Sequence, residues 1–263
     1  MRKTVSPKVV LCDLDGVVWL AHQPIPGSVR AIESLREAGV RVIFVTNNSF
    51  STYDEQVAAL GSIGILAEGD IVTSAMSAAT AIKSEWRVLV CGGSGLIEEV
   101  SRVARDVVVA YREPMADGPF DAVVVGFHRE FDYQVLTDAL TAVRGGAVLI
   151  GSNDDPTYPT PNGPIPGGGA ILAAIEKASG VTPTVTGKPY APMALLVREL
   201  CGDVQPEEMV MVGDRSDTDG GFARNIGARF AMVLSGVMAS ADGSDADIVA
   251  ADLSTVAEIL LKE

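Results

Sequence analysis

The stretch Val9-Val10-Leu11-Cys12-Asp13-Leu14-Asp15-Gly16 limits what this chain can fold into more than any other. An apolar run that ends abruptly in carboxylates reads as a strand buried on both faces, and such strands belong to parallel sheets covered by helices. Ligands of open α/β sheets bind beyond the carboxyl ends of the strands, so Asp13 and Asp15 stand where chemistry would be done. Residues two apart on an extended segment point the same way, and both carboxylates therefore face one small space. Like charges held close raise each other's free energy unless a cation or a shared proton intervenes. A hard divalent ion with oxygen ligands, most simply Mg²⁺, answers that need. Asp and Gly also close strands as plain turn residues, and the motif is short, so the other strand ends decide.

Those strand ends come in order. Ser28 to Ala38 carries apolar residues at Val29, Ile32 and Leu35, a helical face stopped by Gly39. Val40 to Val45 is the next strand, and it ends in Thr46-Asn47-Asn48-Ser49. A right-handed βαβ crossover brings Thr46 to the same sheet edge as Asp13. Thr52-Tyr53-Asp54-Glu55 has the pattern of a capping box opening a helix. A second alternation of strands and helices follows, with strands at Val88–Val90, Val107–Val109, Ala122–Val125 and Val148–Ile150. Cys91-Gly92-Gly93-Ser94-Gly95 lies between strand and helix, but Glu98 stands where a dinucleotide fingerprint needs glycine, so a tight turn is the reading. Ser152 to Gly169 is rich in proline and glycine and reads as a long loop that carries Tyr158. The first pattern then resumes with Gly187-Lys188-Pro189, and with the strand Met209–Val212 ending in Gly213-Asp214-Arg215-Ser216-Asp217-Thr218-Asp219.

Composition removes some classes of partner. A net charge of −14 argues against general nucleic-acid binding and against an anionic membrane surface. It also means that an anionic substrate needs a local cation. Cys12, Cys91 and Cys201 are odd in number and widely spaced, which suits buried reduced thiols. No apolar signal segment follows Met1-Arg2-Lys3 and no apolar run is long enough to span a bilayer, so a cytoplasmic location is expected.

The chemistry that fits is phosphoryl transfer. Cleaving a phosphomonoester through a covalent intermediate takes a nucleophile, an acid for the leaving alcohol and neutralisation of charge. A carboxylate can attack phosphorus if its repulsion from the substrate anion is offset. Mg²⁺ held by Asp13 and Asp214 would offset it, Lys188 would hold one phosphoryl oxygen as a point charge, and Thr46 would donate to another. His22 and His128 are not placed for a phosphohistidine or a Ser-His-Asp set.

Asp13-Leu14-Asp15-Gly16-Val17, Thr46-Asn47-Asn48, Gly187-Lys188-Pro189 and Gly213-Asp214-Arg215-Ser216-Asp217-Thr218-Asp219 resemble the four ordered motifs of haloacid-dehalogenase-like hydrolases. The large insert before the lysine, with Asp155-Pro156-Thr157-Tyr158-Pro159 and Pro166-Gly167-Gly168-Gly169, resembles the nitrophenylphosphatase/NagD-type branch. The resemblance implies an α/β fold with a Rossmann-like parallel-sheet core at residues 1–80 and 185–263, and a smaller inserted α/β cap at 81–184. It implies Asp13 as nucleophile and metal ligand, and Asp15 as acid–base that binds metal through its backbone carbonyl. Thr46 and Lys188 would hold phosphate, with Asn47 and Asn48 supporting the phosphate loop. Asp214 would complete the Mg²⁺ site, Asp219 would act behind it, and Tyr158 would sit in the loop that selects substrate. One departure stands out: Gly220-Gly221 follows Asp219 where the branch usually has isoleucine, which weakens a helix start by roughly 0.5–1 kcal/mol per glycine relative to alanine.

The expectation is an Mg²⁺-dependent phosphatase of small-molecule phosphomonoesters, working through an aspartyl-phosphate. The substrate falls in the sugar phosphate, glycerol phosphate, nucleotide or aryl phosphate class. A phosphomutase or phosphotransferase would use the same residues. A receiver-like phospho-accepting module gathers similar ones but usually spans about half this length, with its phosphorylated aspartate off the first strand. A dehalogenase would need neither Asp15 as an acid nor metal. An exposed cap edge is a candidate homodimer contact.

Overall fold

The computed structural model describes residues 6–20, 22–112, 118–160, 162–236, 240 and 244–263. The chain divides into two compact units, one of Met1–Thr46, Gln56–Val72 and Lys188–Glu263, the other of Asn47–Glu55 and Thr73–Gly187.

The first unit is built on a six-stranded sheet in the order Ile248–Ala250, Arg229–Val233, Met209–Gly213, Val9–Cys12, Arg41–Thr46, Ile71–Thr73. The pairings from Ile248–Ala250 through Arg41–Thr46 are parallel. The apolar opening run therefore lies in the middle of the sheet, and all four of its residues are buried. Leu11, Ile43, Met211 and Phe230 share a core with Met193 and Val197 from the helix Ala191–Cys201. Each such side chain contributes about 1.5–3 kcal/mol when it leaves water. The helix Ser28–Glu37 turns Ala31, Ile32 and Leu35 inward, and Gly39 follows it with a left-handed φ of 83°. From the central strand the chain moves to one side through Arg41–Thr46, then returns to the other side through Met209–Gly213. The order thus reverses between Val9–Cys12 and Met209–Gly213, which is where open α/β sheets form their ligand crevice.

The second unit holds five parallel strands in the order Thr184–Val185, Val148–Gly151, Ala122–Val125, Arg87–Cys91, Asp106–Val109. The helices Tyr133–Arg144 and Gly168–Ser179 pack Val135, Ala139, Leu172 and Ile175 onto it. The limits expected from sequence lie at 80/81 and 184/185, whereas Asn47–Glu55 and the helix Ser74–Ala79 cluster with this unit. The cause is packing: Ala75 and Ala78 enter one core with Val88, Val90 and Leu96. Thr184–Val185 belongs here as well, because it pairs with Ile150–Gly151.

Thr52 and Glu55 form the expected capping box, with Thr52 Oγ1 accepting from the Glu55 N–H at 3.2 Å and Glu55 Oε2 accepting from the Thr52 N–H at 2.9 Å. The glycines of Gly92-Gly93-Ser94-Gly95 serve close packing within the second unit. A Cβ on Gly93 would lie 2.4 Å from Phe50 Cδ2, and one on Gly95 would lie 2.1 Å from the Ser51 carbonyl oxygen.

Two short ribbons appear where sequence offers only loop or turn: Trp19–Leu20 with Gln23–Pro24, and Thr157–Tyr158 with Ile165–Pro166. Two-residue strands are too short to show a period, and proline is tolerated at such edges. Among the described residues no helix is long and apolar enough to cross a membrane.

Candidate active site

Asp13 directly follows the central strand, and its backbone N–H extends the ladder by donating to the Val212 carbonyl at 2.9 Å. Asp214 directly follows the adjacent strand Met209–Gly213. The two carboxylates that the sequence separates by some two hundred residues thus leave neighbouring strands at the point of reversal. One carboxylate oxygen from each of Asp13, Asp214 and Asp219 lies within 4.8 Å of the other two.

Lys188 closes this group from within. Its Nζ donates to Asp13 Oδ1 at 2.8 Å and to Asp219 Oδ1 at 2.7 Å, and the residue is only 1% exposed. Asp219 itself sits on a π-turn, Ser216–Gly220, and its Oδ2 accepts from the Arg215 N–H at 3.2 Å. Single π-turns recur at functional sites because they re-aim a side chain within a helical run. Asp217, two residues earlier, points outward and pairs with Arg215.

Two glycines let the backbone close around Asp214. A Cβ on Gly16, whose φ is 86°, would lie 2.5 Å from Asp214 Oδ2, and one on Gly236 would lie 2.0 Å from it. The Ser235 hydroxyl donates to the Gly16 carbonyl at 2.7 Å and ties the two segments together. Gly16 was legible in its motif. Ser235-Gly236 carried no sequence signal, because nothing local marks a residue whose role is to approach a distant side chain.

Burial sets the electrostatics. It pushes the Asp13 carboxyl above the usual range, with the Lys188 ammonium opposing it, and raises Asp219 to about 6 for the same reasons. Burial works against charge on Lys188 too, but Asp13 and Asp219 outweigh it and hold the ammonium above its ordinary value. Three carboxylates against one ammonium leave a formal charge of −2. That deficit and an all-oxygen donor set match a hard divalent cation.

Asp15 is raised to about 6, chiefly by burial. The Trp19 indole N–H opposes that shift at a distance without reaching hydrogen-bond geometry. The Cys12 thiol is pushed well above its ordinary value, first by burial and then by Asp13, so it offers no thiolate.

The structure brings together Asp13, Asp214, Asp219 and Lys188, with Thr46 buried at the end of the adjacent strand, two residues past the register partner of Cys12. It groups Asn47, Asn48 and Tyr158 within the second unit. There the Asn47 side chain donates to Asp155 Oδ2 at 2.9 Å, and Asn48 donates to the Tyr158 hydroxyl at 3.3 Å. Asn48 Oδ1 accepts from the Phe50 and Ser51 N–H groups, a turn-forming role. The Tyr158 ring stacks on Phe127 with centroids 4.4 Å apart. His22 packs on Trp19, and His128 is buried against Tyr111, so neither histidine joins the acidic group.

Comparison with known proteins identifies the family of the chain. Residues 10–104 match a haloacid dehalogenase-like hydrolase family model, and residues 185–256 match a HAD-hydrolase-like one. The chain is 38% identical to D-glycerol 3-phosphate phosphatase of Mycobacterium tuberculosis over 245 residues, 91% of this chain and 66% of that protein. It superposes on the p-nitrophenyl phosphatase of Archaeoglobus fulgidus with a TM-score of 0.86 and 30% identity, over 97% of this chain and 100% of that one. A glycerol phosphate phosphatase of Mycobacterium tuberculosis solved in complex with magnesium gives a TM-score of 0.83 at 33% identity, over 96% and 77% of the two chains. With three of its motifs at strand ends of one parallel sheet, Lys188 of the fourth paired to Asp13, and these relatives along nearly its whole length, the chain belongs to the haloacid dehalogenase-like hydrolases, in their nitrophenylphosphatase-type branch.

Proposed function

We propose that this protein hydrolyses small-molecule phosphomonoesters through an aspartyl-phosphate on Asp13. The observation that carries the reading is the position of Asp13, at the carboxyl end of the switch-point strand, bonded to Lys188 and grouped with Asp214. Asp13 and Asp214, with the Asp15 carbonyl, would hold Mg²⁺. When bound, the ion neutralises the negative charge that gathers as carboxylate meets phosphate.

The chain's own residues supply the remaining steps. Asp13 attacks phosphorus while the bond to the ester oxygen breaks, and Asp15 gives its proton to that oxygen as the alcohol leaves. Asp15 then takes a proton from water as the water oxygen attacks the phosphoryl group. The acyl-phosphate bond breaks, and inorganic phosphate and free Asp13 result. A carboxyl raised to about 6 by burial suits that exchange of roles near neutral pH. Lys188 and Thr46 hold the non-reacting phosphoryl oxygens, and Asp219 keeps the Lys188 ammonium in place.

The names of the relatives support polyol and sugar phosphates as the substrate class. The second unit is read as the inserted cap, in which Tyr158 discriminates among leaving groups. Three buried free cysteines suit a reducing, cytoplasmic setting.

The test measures inorganic phosphate released from glycerol 3-phosphate, sugar phosphates and nitrophenyl phosphate, with Mg²⁺ and with EDTA. It is joined to acid-quench trapping of labelled phosphoenzyme. Wild type should release phosphate catalytically and yield a trapped adduct, while Asp13→Asn should yield neither and keep a native circular dichroism spectrum. Turnover by pure Asp13→Asn protein would remove Asp13 as the nucleophile.

A further inference from the structure

Gly220 and Gly221 are not glycine for the sake of backbone freedom. Their φ/ψ values of −63°/−43° and −58°/−43° are ordinary right-handed helix, which any residue adopts. What singles them out is proximity. A Cβ on Gly220 would lie 3.0 Å from the Phe230 ring, and one on Gly221 would lie 2.9 Å from Pro189 Cβ. Asn225, one turn further along the helix Gly221–Ile226, donates its side-chain N–H to the Pro189 carbonyl. Residues at i and i+4 share a helix face, so Gly221 and Asn225 together form one seat for Pro189.

Pro189 is the residue that follows Lys188. The segment that carries Asp219 therefore meets the Lys188-Pro189 pair at both ends, binding the ammonium through Asp219, leaving room for the Pro189 ring at Gly221 and holding the Pro189 carbonyl through Asn225. We infer that Gly221 and Asn225 are positioning residues, which set the place of the Lys188 ammonium and through it the affinity of the site for a phosphoryl group. The inference rests on Lys188 being the phosphate-holding cation of the proposed reaction. A side chain at position 221 would displace Pro189, and a catalytic group misplaced by about 1 Å can lose on the order of 10²-fold in rate.

The test is the dissociation constant of inorganic phosphate, measured by isothermal titration calorimetry in excess Mg²⁺, for wild type, Gly221→Ala, Asn225→Ala and Lys188→Met. Alanine is the better helix former at both positions, so helix propensity alone predicts unchanged or improved stability, and a role confined to stability predicts an unchanged constant. The positioning role predicts a constant raised about tenfold or more for Gly221→Ala. For Asn225→Ala, where one hydrogen bond is lost, it predicts a rise of about three- to tenfold. Gly39→Ala, at an exposed position with φ of 83°, is the control that lowers stability without touching Pro189 and should leave the constant unchanged. If Lys188→Met weakens phosphate while Gly221→Ala and Asn225→Ala do not, the seat is refuted and the reading of Lys188 stands. If Lys188→Met leaves phosphate affinity intact, the reading of Lys188 falls and the seat with it.

Discussion

Replacing Lys188 with Met keeps an unbranched side chain of similar length and removes only the ammonium. In the wild type that ammonium lies 2.8 Å from Asp13 and 2.7 Å from Asp219, in a site from which water is nearly excluded. Each contact is worth about 6 kcal/mol of gross Coulomb energy at an effective dielectric of ~20. Much of that is offset by desolvation of the ions, and removing one partner of a buried pair typically costs about 3–5 kcal/mol. The variant leaves the three carboxylates with a formal charge of −3 in place of −2. Protonation is their route of relief. Burial already raises Asp13 and Asp219, the latter to about 6, and loss of the ammonium raises both further.

The sign follows by linkage. The folded variant binds more protons than the unfolded chain above the ordinary aspartate value of 3.8, so its stability falls as pH rises. Guanidinium unfolding in EDTA should therefore show Lys188→Met about 3–5 kcal/mol less stable than wild type at pH 8. The gap should narrow toward pH 5 by up to about 1.4 kcal/mol per pH unit and per proton taken up. Added Mg²⁺ should restore part of the loss. A deficit under about 1 kcal/mol at pH 8, or one independent of pH, would refute the view that this ammonium offsets the charge of the buried carboxylates.

Other perturbations probe the remaining parts of the site. With alkyl phosphates, the phosphorylation step should decline as pH rises through about 6, because Asp15 must carry a proton to act as acid. Asp15→Asn should slow that step by about 10²–10⁴-fold and less for nitrophenyl phosphate, whose leaving group needs little help. Equal losses for both esters in single-turnover measurements would remove Asp15 from the role. EDTA should abolish turnover, Mg²⁺ restore it, and Ca²⁺ inhibit, since calcium takes more ligands at longer distances than magnesium. Full activity in Ca²⁺ would contradict the assignment. Tyr158→Ala should change kcat/KM unequally across a panel of esters if the cap selects substrate, with nitrophenyl phosphate least affected. A uniform change that tracks thermal stability would leave Tyr158 as the stacking partner of Phe127.

Local pattern was enough to reveal the fold class and much of the chemistry. The run Val9–Cys12 reads as a buried strand in sequence, and it lies buried in the middle of the sheet. The capping box at Thr52 and Glu55, the helix at Ser28–Glu37 and the strand ending in Asp214 were equally visible, because each is set by residues within a few positions of one another. What the linear order hid is set by elements far apart in the chain. The bridge from Lys188 to Asp219 spans 31 residues, and the closure of Gly16 and Gly236 on Asp214 joins segments some two hundred apart. The sheet order decided the second, since it made Val9–Cys12 and Met209–Gly213 neighbours. Packing decided the allocation of Asn47–Glu55 and Ser74–Ala79 to the second unit, where Phe50 fills the space over Gly93 and Ala75 enters the core. Gly220 and Gly221 show the limit most plainly. In sequence they read as a weak helix start, and only the tertiary structure supplies the Phe230 ring and Pro189 that leave no room for a side chain.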